Sequence, residues 1–371
     1  MPVVLGASLL AVRLFDIAYA IDLPAAEKLW ARAGRGGKRS RLQATPPKAV
    51  DFGVPPLELT LDPVTIGIGA APVDVAVSAR LYDFGVIVLT LRVPADGLGW
   101  DAYVGRMTAL DLAVGAAASR AGTAPWAPLL ARLRTMLGAA FVRPSAATIE
   151  EDYLVGVVQG FSPPVAAARL AETIDLVPLL SGETRPLSDG ARADLLRHRY
   201  AYYADDLTVL TWDRAFLLEP RGETDVLDVL EVANAQLLEM RYYDELLDAE
   251  LPRMYDLIEN ARRARAVFAA RRFADLARRV HTLVAEVTEL AERVDNALQV
   301  TEDVYLARIY AAALDLFRVP AVSAAVNRKL AILRDTYAAL HDEAQSGRAE
   351  LLEVLIVLLI LCEIALALWR G

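Results

Sequence analysis

"VDVAVSARLYDFGVIVLTLRV", residues 73–93, carries the pattern from which the fold is read. Valine, isoleucine, leucine and threonine crowd both halves, and such residues fit the pleated, half-buried surface of a strand. Asp83-Phe84-Gly85 interrupts the run with turn-forming residues. Two paired strands around that turn are therefore predicted.

The same signals extend outward. Phe15, Ile17, Tyr19, Ile21 and Leu23 alternate with Asp16, Ala18, Ala20 and Asp22, which predicts a strand with one buried face. "PAAEKLWARA" (24–33) reads as a short helix and "GRGGKRSRLQATPP" (34–47) as an exposed loop. Helical spacing follows over 99–120 and 124–141, a strand over 150–161, helices over 164–174 and 188–199, and a strand pair over 205–220. Strands and helices interleaved in this way predict an α+β body over residues 1–222. "RLYDFGVIVLTLRVP" (80–94) and "YYADDLTVLTWDRAFLLEP" (202–220) share aromatics, an acid, a β-rich run and a proline. Either an internal duplication makes them equivalent strands of one sheet, or strand composition has converged.

From Glu223 the pattern is helical, and residues 223–348 read as a helical, coiled-coil hairpin. Pro252 is placed to open a second helix at its first turn. Leu276, Leu283 and Leu290 then alternate with Val280, Val287 and Val294 at spacings of four and three. Valine at a with leucine at d is a two-stranded coiled-coil seam. Pro320 ends the pattern, and a second series resumes at Val326, Leu330, Leu333, Tyr337, Leu340 and Ala344. An antiparallel hairpin within one chain is expected, with self-association into a homo-oligomer on top of it.

Residues 349–371 contain "LLEVLIVLLILCEIALALWRG", about the ~20 residues that a bilayer core requires. About a dozen Leu, Ile and Val at ~0.5 kcal/mol each favour insertion by roughly 6 kcal/mol, against ~2.5–3.5 kcal/mol for one central charge. A single C-terminal transmembrane tail anchor is therefore expected, with Trp369 and Arg370 at the interface. Arg328, Lys329, Arg334 and Arg348 precede the apolar run and Arg370 alone follows it. The positive-inside bias then puts the folded body on the cytoplasmic face of the membrane. Glu353 sits near the edge of the run and can snorkel. Glu363 lies deeper, where an acid reads as a polar contact between helices or as a protonated, lipid-tolerant carboxyl.

The 371 residues carry a net charge of -9, which argues against a general nucleic-acid binder. The exception is local: Arg32, Arg35, Lys38, Arg39 and Arg41 fall within ten residues. They read as a solvated loop, with anionic lipid head groups or RNA as the contacts that basic side chains would take. The phosphate-loop pattern fails there, because Arg32 stands at the first glycine position and Arg39 follows the lysine. Cys362 is the single cysteine, so neither a disulfide framework nor a zinc site is expected. His198, His281 and His341 are scattered, and neither a nucleophile–base set nor a dinucleotide fingerprint is present. No cofactor and no catalytic residue is expected. Asp205, Asp206 and Asp213 are the acids on which an enzymatic reading would rest.

"YYADDLTVLTWDRAFLLEP", "VLEVANAQLLEMRYYDELLD" (229–248), a charged helical region and "RAELLEVLIVLLILCEIALAL" (348–368) form an ordered series. In it the second half of the chain resembles the required-for-meiotic-nuclear-division family, with Leu352, Glu353 and Glu363 matching how its members end. The resemblance implies a membrane-attached α+β body with a coiled-coil C-terminal region. It also implies a role in organising complexes that support translation. The expected function is a self-associating membrane scaffold that organises a complex. The alternatives are a membrane-tethered factor contacting RNA or the ribosome through residues 32–41, and an enzyme with an acidic site.

Overall fold

The computed structural model describes residues 1–39, 50–51, 54–69, 71–262, 299–300 and 303–370, with isolated helical positions between 275 and 288. They form two compact units: Met1–Glu239 with Arg293–Val319, and Met240–Glu292 with Pro320–Gly371.

The first unit is built on a mixed sheet. Its strands are β1 (Val3–Leu5), β2 (Ser8–Ile21), β3 (Gly37–Arg39), β4 (Val50–Asp51), β5 (Leu57–Ile68), β6 (Ala71–Leu81) and β7 (Val86–Pro94). They continue with β8 (Phe141–Val158), β9 (Gly160–Ser162), β10 (Arg199–Tyr200), β11 (Leu207–Leu210), β12 (Arg214–Leu218) and β13 (Gln299–Val300). Nine of them run in the order β10-β11-β12-β8-β2-β7-β6-β5-β3, while β1 pairs with β9 and β4 with β13. β6 and β7 form the predicted hairpin, with Leu81 opposite Ile87. Gly85 closes its turn at a φ of 101°, where a side chain would collide with the Ala18 carbonyl oxygen.

β2 is the centre of the sheet, antiparallel to β7 on one side and β8 on the other. Both of its faces are buried, where the alternation predicted one. Phe15 and Ile17 join the cluster beneath α1 (Leu23–Arg32), α2 (Trp100–Val114), α3 (Ala116–Ala121) and α4 (Trp126–Leu137). Leu10, Leu14 and Asp16 are buried on the other face. β8 closes a parallel pair with β12, after the short helices α5 (Leu170–Thr173), α6 (Val177–Ser181) and α7 (Asp189–Leu195). Residues 80–94 and 202–220 are not equivalent: β7 is antiparallel to its inner neighbour β2, whereas β12 is parallel to its inner neighbour β8.

The second face is covered by α8 (Asp225–Arg262), whose Val229, Val232, Ala233 and Ala235 are fully buried. α9 (Val304–Leu316) packs beside it, where the Tyr310 hydroxyl donates to Gln236 Oε1 at 2.5 Å. Pro252 lies inside α8 instead of opening a new helix. An interior proline removes one backbone hydrogen bond and crowds the carbonyl four residues before it, so it strains α8 without ending it.

The second unit takes the end of α8, the isolated helical positions described between 275 and 288, and α10 (Val319–Arg370) from Pro320 onward. Tyr243, Leu247, Val326, Leu330 and Leu333 are buried in it. Lys329 Nζ meets Asp244 Oδ1 at 2.7 Å and Asp248 Oδ1 at 2.6 Å, joining α10 to α8 by charge as well as packing.

Candidate functional site

The feature with the plainest functional meaning is the surface of α10 between Ile356 and Leu366, where every residue is exposed. Leu358 and Leu359 are each 60% exposed. A helix that is apolar all round is ordinarily buried, in a core or in lipid. Here the whole circumference is bare, and Glu363 and Cys362 are exposed with it. Among the described residues no single helix is long and apolar enough to cross a membrane, and Ile356–Leu366 is the apolar run that α10 shows. The side chain of Glu353 lies outside the described residues. Val304–Leu316 followed by Val319–Thr336 has the length and composition of a span. However, Ile309 and Ala313 are fully buried in the first unit and Leu333 in the second, as core positions are.

The basic cluster is divided by the fold. Arg32 ends α1 and is exposed. The Arg35 guanidinium lies 5.3 Å from the Trp30 ring centre and 2.7 Å from Asp62 Oδ2. Arg132 of α4 reaches the same oxygen at 2.5 Å. Hydrogen bonds from Arg35 and then Arg132 hold the Asp62 carboxyl below its ordinary range. Gly37–Arg39 is not loop but the edge strand β3, paired with Leu57–Leu59 of β5. The Trp30 indole donates to the Gly36 carbonyl at 3.2 Å just before it enters. The side chains of Lys38 and Arg39, and the whole of Arg41, lie outside the described residues. So do Leu276, Leu283, Val287, Leu290 and Val294 of the seam, whereas its remaining member, Val280, is 4% exposed.

The three candidate acids are not brought together. Asp206 accepts the Tyr202 backbone N–H at 2.8 Å before β11. Asp213 follows β11, where it accepts from the Thr211 hydroxyl at 3.2 Å and faces Arg214 Nε at 3.7 Å. Among the described residues no group of three or more His, Cys, Asp or Glu side chains has the arrangement of a metal site.

Two other clusters join residues far apart in sequence. Beneath α8, Arg80 Nη1 lies 2.8 Å from Asp228 Oδ1 and 3.1 Å from Glu231 Oε1, and the Tyr82 hydroxyl donates to Glu231 at 2.6 Å. Burial pushes the Glu231 carboxyl up despite Arg80 and Tyr82. It opposes the charge on Arg80, but Glu231 and Asp228 outweigh it and hold that guanidinium firmly protonated. Asp16 lies on the same face of the sheet, since β2, β7 and β6 place Leu14, Val88 and Arg80 in one row. Its carboxyl is raised from 3.8 to about 7 by burial, against the lowering effect of the Ala18 N–H it accepts.

The second cluster is on the surface. The rings of Tyr202 and Tyr203 meet edge to face at 4.8 Å, and Tyr305 of α9 lies 5.3 Å from Tyr202. Tyr202 is 59% exposed and Tyr203 44%. The Arg221 guanidinium stands 4.4 Å from the centre of the Tyr203 ring, a cation–π contact. Burial raises the Tyr305 hydroxyl to about 12, and the neighbouring charges of Asp206, Glu219 and Asp303 add to that rise. The adjacent pair Tyr202-Tyr203 was visible in the sequence, but Tyr305 and Arg221 reach it only through the fold.

The family model described as "Uncharacterized protein MJ0711, N-terminal domain" matches residues 6–225. The chain belongs to this family. The matched residues take in the nine-stranded sheet and end at the first residue of α8. The Uncharacterized protein MJ0711 of Methanocaldococcus jannaschii is 23% identical over 219 residues, which are 59% of this chain and 66% of that protein. The chain thus spans a little under two thirds of that relative. No solved structure matches it. These findings overturn the resemblance to the required-for-meiotic-nuclear-division family: no match to that family is found, and the matched domain occupies the N-terminal half. The residues that carried the resemblance were a β-rich strand pair, charged helices and an oily run, patterns that sheet packing, helix packing and lipid impose on unrelated chains.

Proposed function

We propose that the chain is a membrane-attached, self-associating scaffold. Its α+β domain is displayed at the cytoplasmic face, and its C-terminal helix enters the bilayer. The observation that carries this reading is the bare apolar circumference of Ile356–Leu366. Water is a poor environment for such a surface, and lipid is the solvent that an all-round apolar helix fits. Trp369, 88% exposed at the end of the helix, has the amphipathic ring of an interfacial anchor. Lys329 is committed to Asp244 and Asp248, so Arg328, Arg334 and Arg348 supply the positive charge on the body's side. Glu363 is the polar group through which neighbouring helices would meet in lipid.

Flotation of the full chain with vesicles of phosphatidylcholine and phosphatidylglycerol tests the attachment. Leu358→Lys with Leu361→Lys places two charges mid-helix, at ~2.5–3.5 kcal/mol each, which cancels the roughly 6 kcal/mol gained by the apolar residues. The wild type should float and the double variant should stay at the bottom. A wild type that stays at the bottom, or a variant that floats equally, would remove the basis for a membrane role.

A further inference from the structure

We propose that copies of this chain associate head to tail, the tyrosine patch beside β10 on one copy receiving the basic β3 edge of the next. This deepens the self-association in the reading above. β10 and β3 are the two ends of the nine-stranded sheet. Eight strand spacings of about 4.8 Å put them roughly 38 Å apart, so the two surfaces cannot meet within one copy.

The surfaces are complementary in charge and in chemistry. At the β10 end, Tyr202 and Tyr203 offer exposed rings, and Arg221 over Tyr203 shows that a ring face there takes a guanidinium. The carboxylates of Asp205, Asp206, Glu219, Glu223 and Asp303 lie on the segments that form this end, against Arg199, Arg221 and Arg308. They act on one another: after burial, Glu223 and Asp206 are what raise the Glu219 carboxyl. At the β3 end, Arg35 and Arg132 share the single carboxylate of Asp62, which leaves a positive excess, and the exposed Arg32 adds to it. Anionic lipid or nucleic acid would be repelled by the first surface, whereas arginine and lysine side chains are what it fits. A contact between two different patches is heterologous, so it propagates into rings or open chains. Attachment to one membrane would confine the copies and raise their effective concentration.

Native mass spectrometry of the full chain released from detergent reads the outcome, with Glu363→Leu in every sample, the one with both edges intact included, so that contacts between membrane helices do not contribute. Arg32→Gln with Arg132→Gln leaves only the balanced Arg35–Asp62 pair on one edge, and Tyr202→Ala with Asp205→Asn and Glu223→Gln neutralises the other. The chain with both edges intact should form species beyond the dimer at low salt and dissociate as salt is raised. Each edge variant alone should be monomeric at concentrations where the intact-edge chain assembles. Their equimolar mixture should give a heterodimer and nothing larger, because each copy keeps one working surface. A monomeric intact-edge chain, a variant that assembles alone, or a mixture that stays monomeric overturns the proposal. Vesicle flotation depends on neither edge, so the membrane reading stands or falls separately. A variant that still assembles alone would assign self-association to another surface.

Discussion

Replacing Asp16 by asparagine should make this protein more stable at alkaline pH and nearly neutral in effect at acid pH. Asp16 is 3% exposed on the central strand, and its carboxyl titrates at about 7 instead of 3.8. A folded-state value above the unfolded one means that the native state holds the proton more tightly. Stability from this group is then full below pH ~4 and falls as pH rises toward 7, at ~1.4 kcal/mol per unit. The gap of about three units sets a ceiling of ~4 kcal/mol for the cost of the ionised form. Asparagine cannot ionise, and its side-chain oxygen can still accept the Ala18 N–H. Urea unfolding of the full chain, followed by tryptophan fluorescence, suits the measurement because Trp30, Trp100 and Trp126 are all buried in the same unit. The stability difference between variant and wild type should grow by ~2–3 kcal/mol in the variant's favour between pH 5 and pH 8. A difference that stays constant with pH, or shrinks, would refute the claim that burial raises this carboxyl.

Two further outcomes follow from the packing. Gly85→Ala places a Cβ 1.8 Å from the Ala18 carbonyl oxygen at a φ of 101°, so the β6–β7 turn and β2 must part. A loss of about 3 kcal/mol or more is expected in the same urea titration, and a near-neutral result would contradict the close approach. Lys329→Met removes both ion pairs to α8, of which Asp248 is 63% exposed. The coupling between Lys329→Met and Asp244→Asn in a double-mutant cycle should be about 0.5–1 kcal/mol, read by far-ultraviolet circular dichroism, and should shrink in high salt.

The local elements were legible where the chain repeats a simple period. Residues 73–93 announce their hairpin because two β-branched runs flank a glycine-containing turn. Leu57–Ile68 does not declare itself as a strand, because Asp62-Pro63 interrupts its alternation at the point where the pairing with β6 shifts register. The full burial of β2 was also hidden. Arg13 and Asp16 look like solvent-facing residues until their surroundings are known. Arg13 pairs with Glu150 at 2.9 Å and donates to the Val114 carbonyl at 3.1 Å, partners more than 100 residues away. Pro252 misled because a proline ordinarily marks a helix boundary. The tyrosine patch depends on Tyr202 meeting Tyr305, which no window along the chain can show. The exposed apolar run on α10 is the reverse case: thirteen Leu, Ile and Val residues between 351 and 369 declare it in the sequence alone.

The central position of β2 also bears on how the chain comes to be folded. Its two neighbours are β7, which begins at Val86, and β8, which ends at Val158. A ribosome therefore delivers this apolar strand first and its second partner more than a hundred residues later. At ~5–20 residues per second, the strand spends several seconds or more with an unpaired edge on offer. Such an edge is a template for pairing with other nascent chains. The order of the strands thus leaves β2 open while residues 22–140 are being made, and a chaperone that binds extended apolar segments would find a substrate in residues 8–21 over that interval.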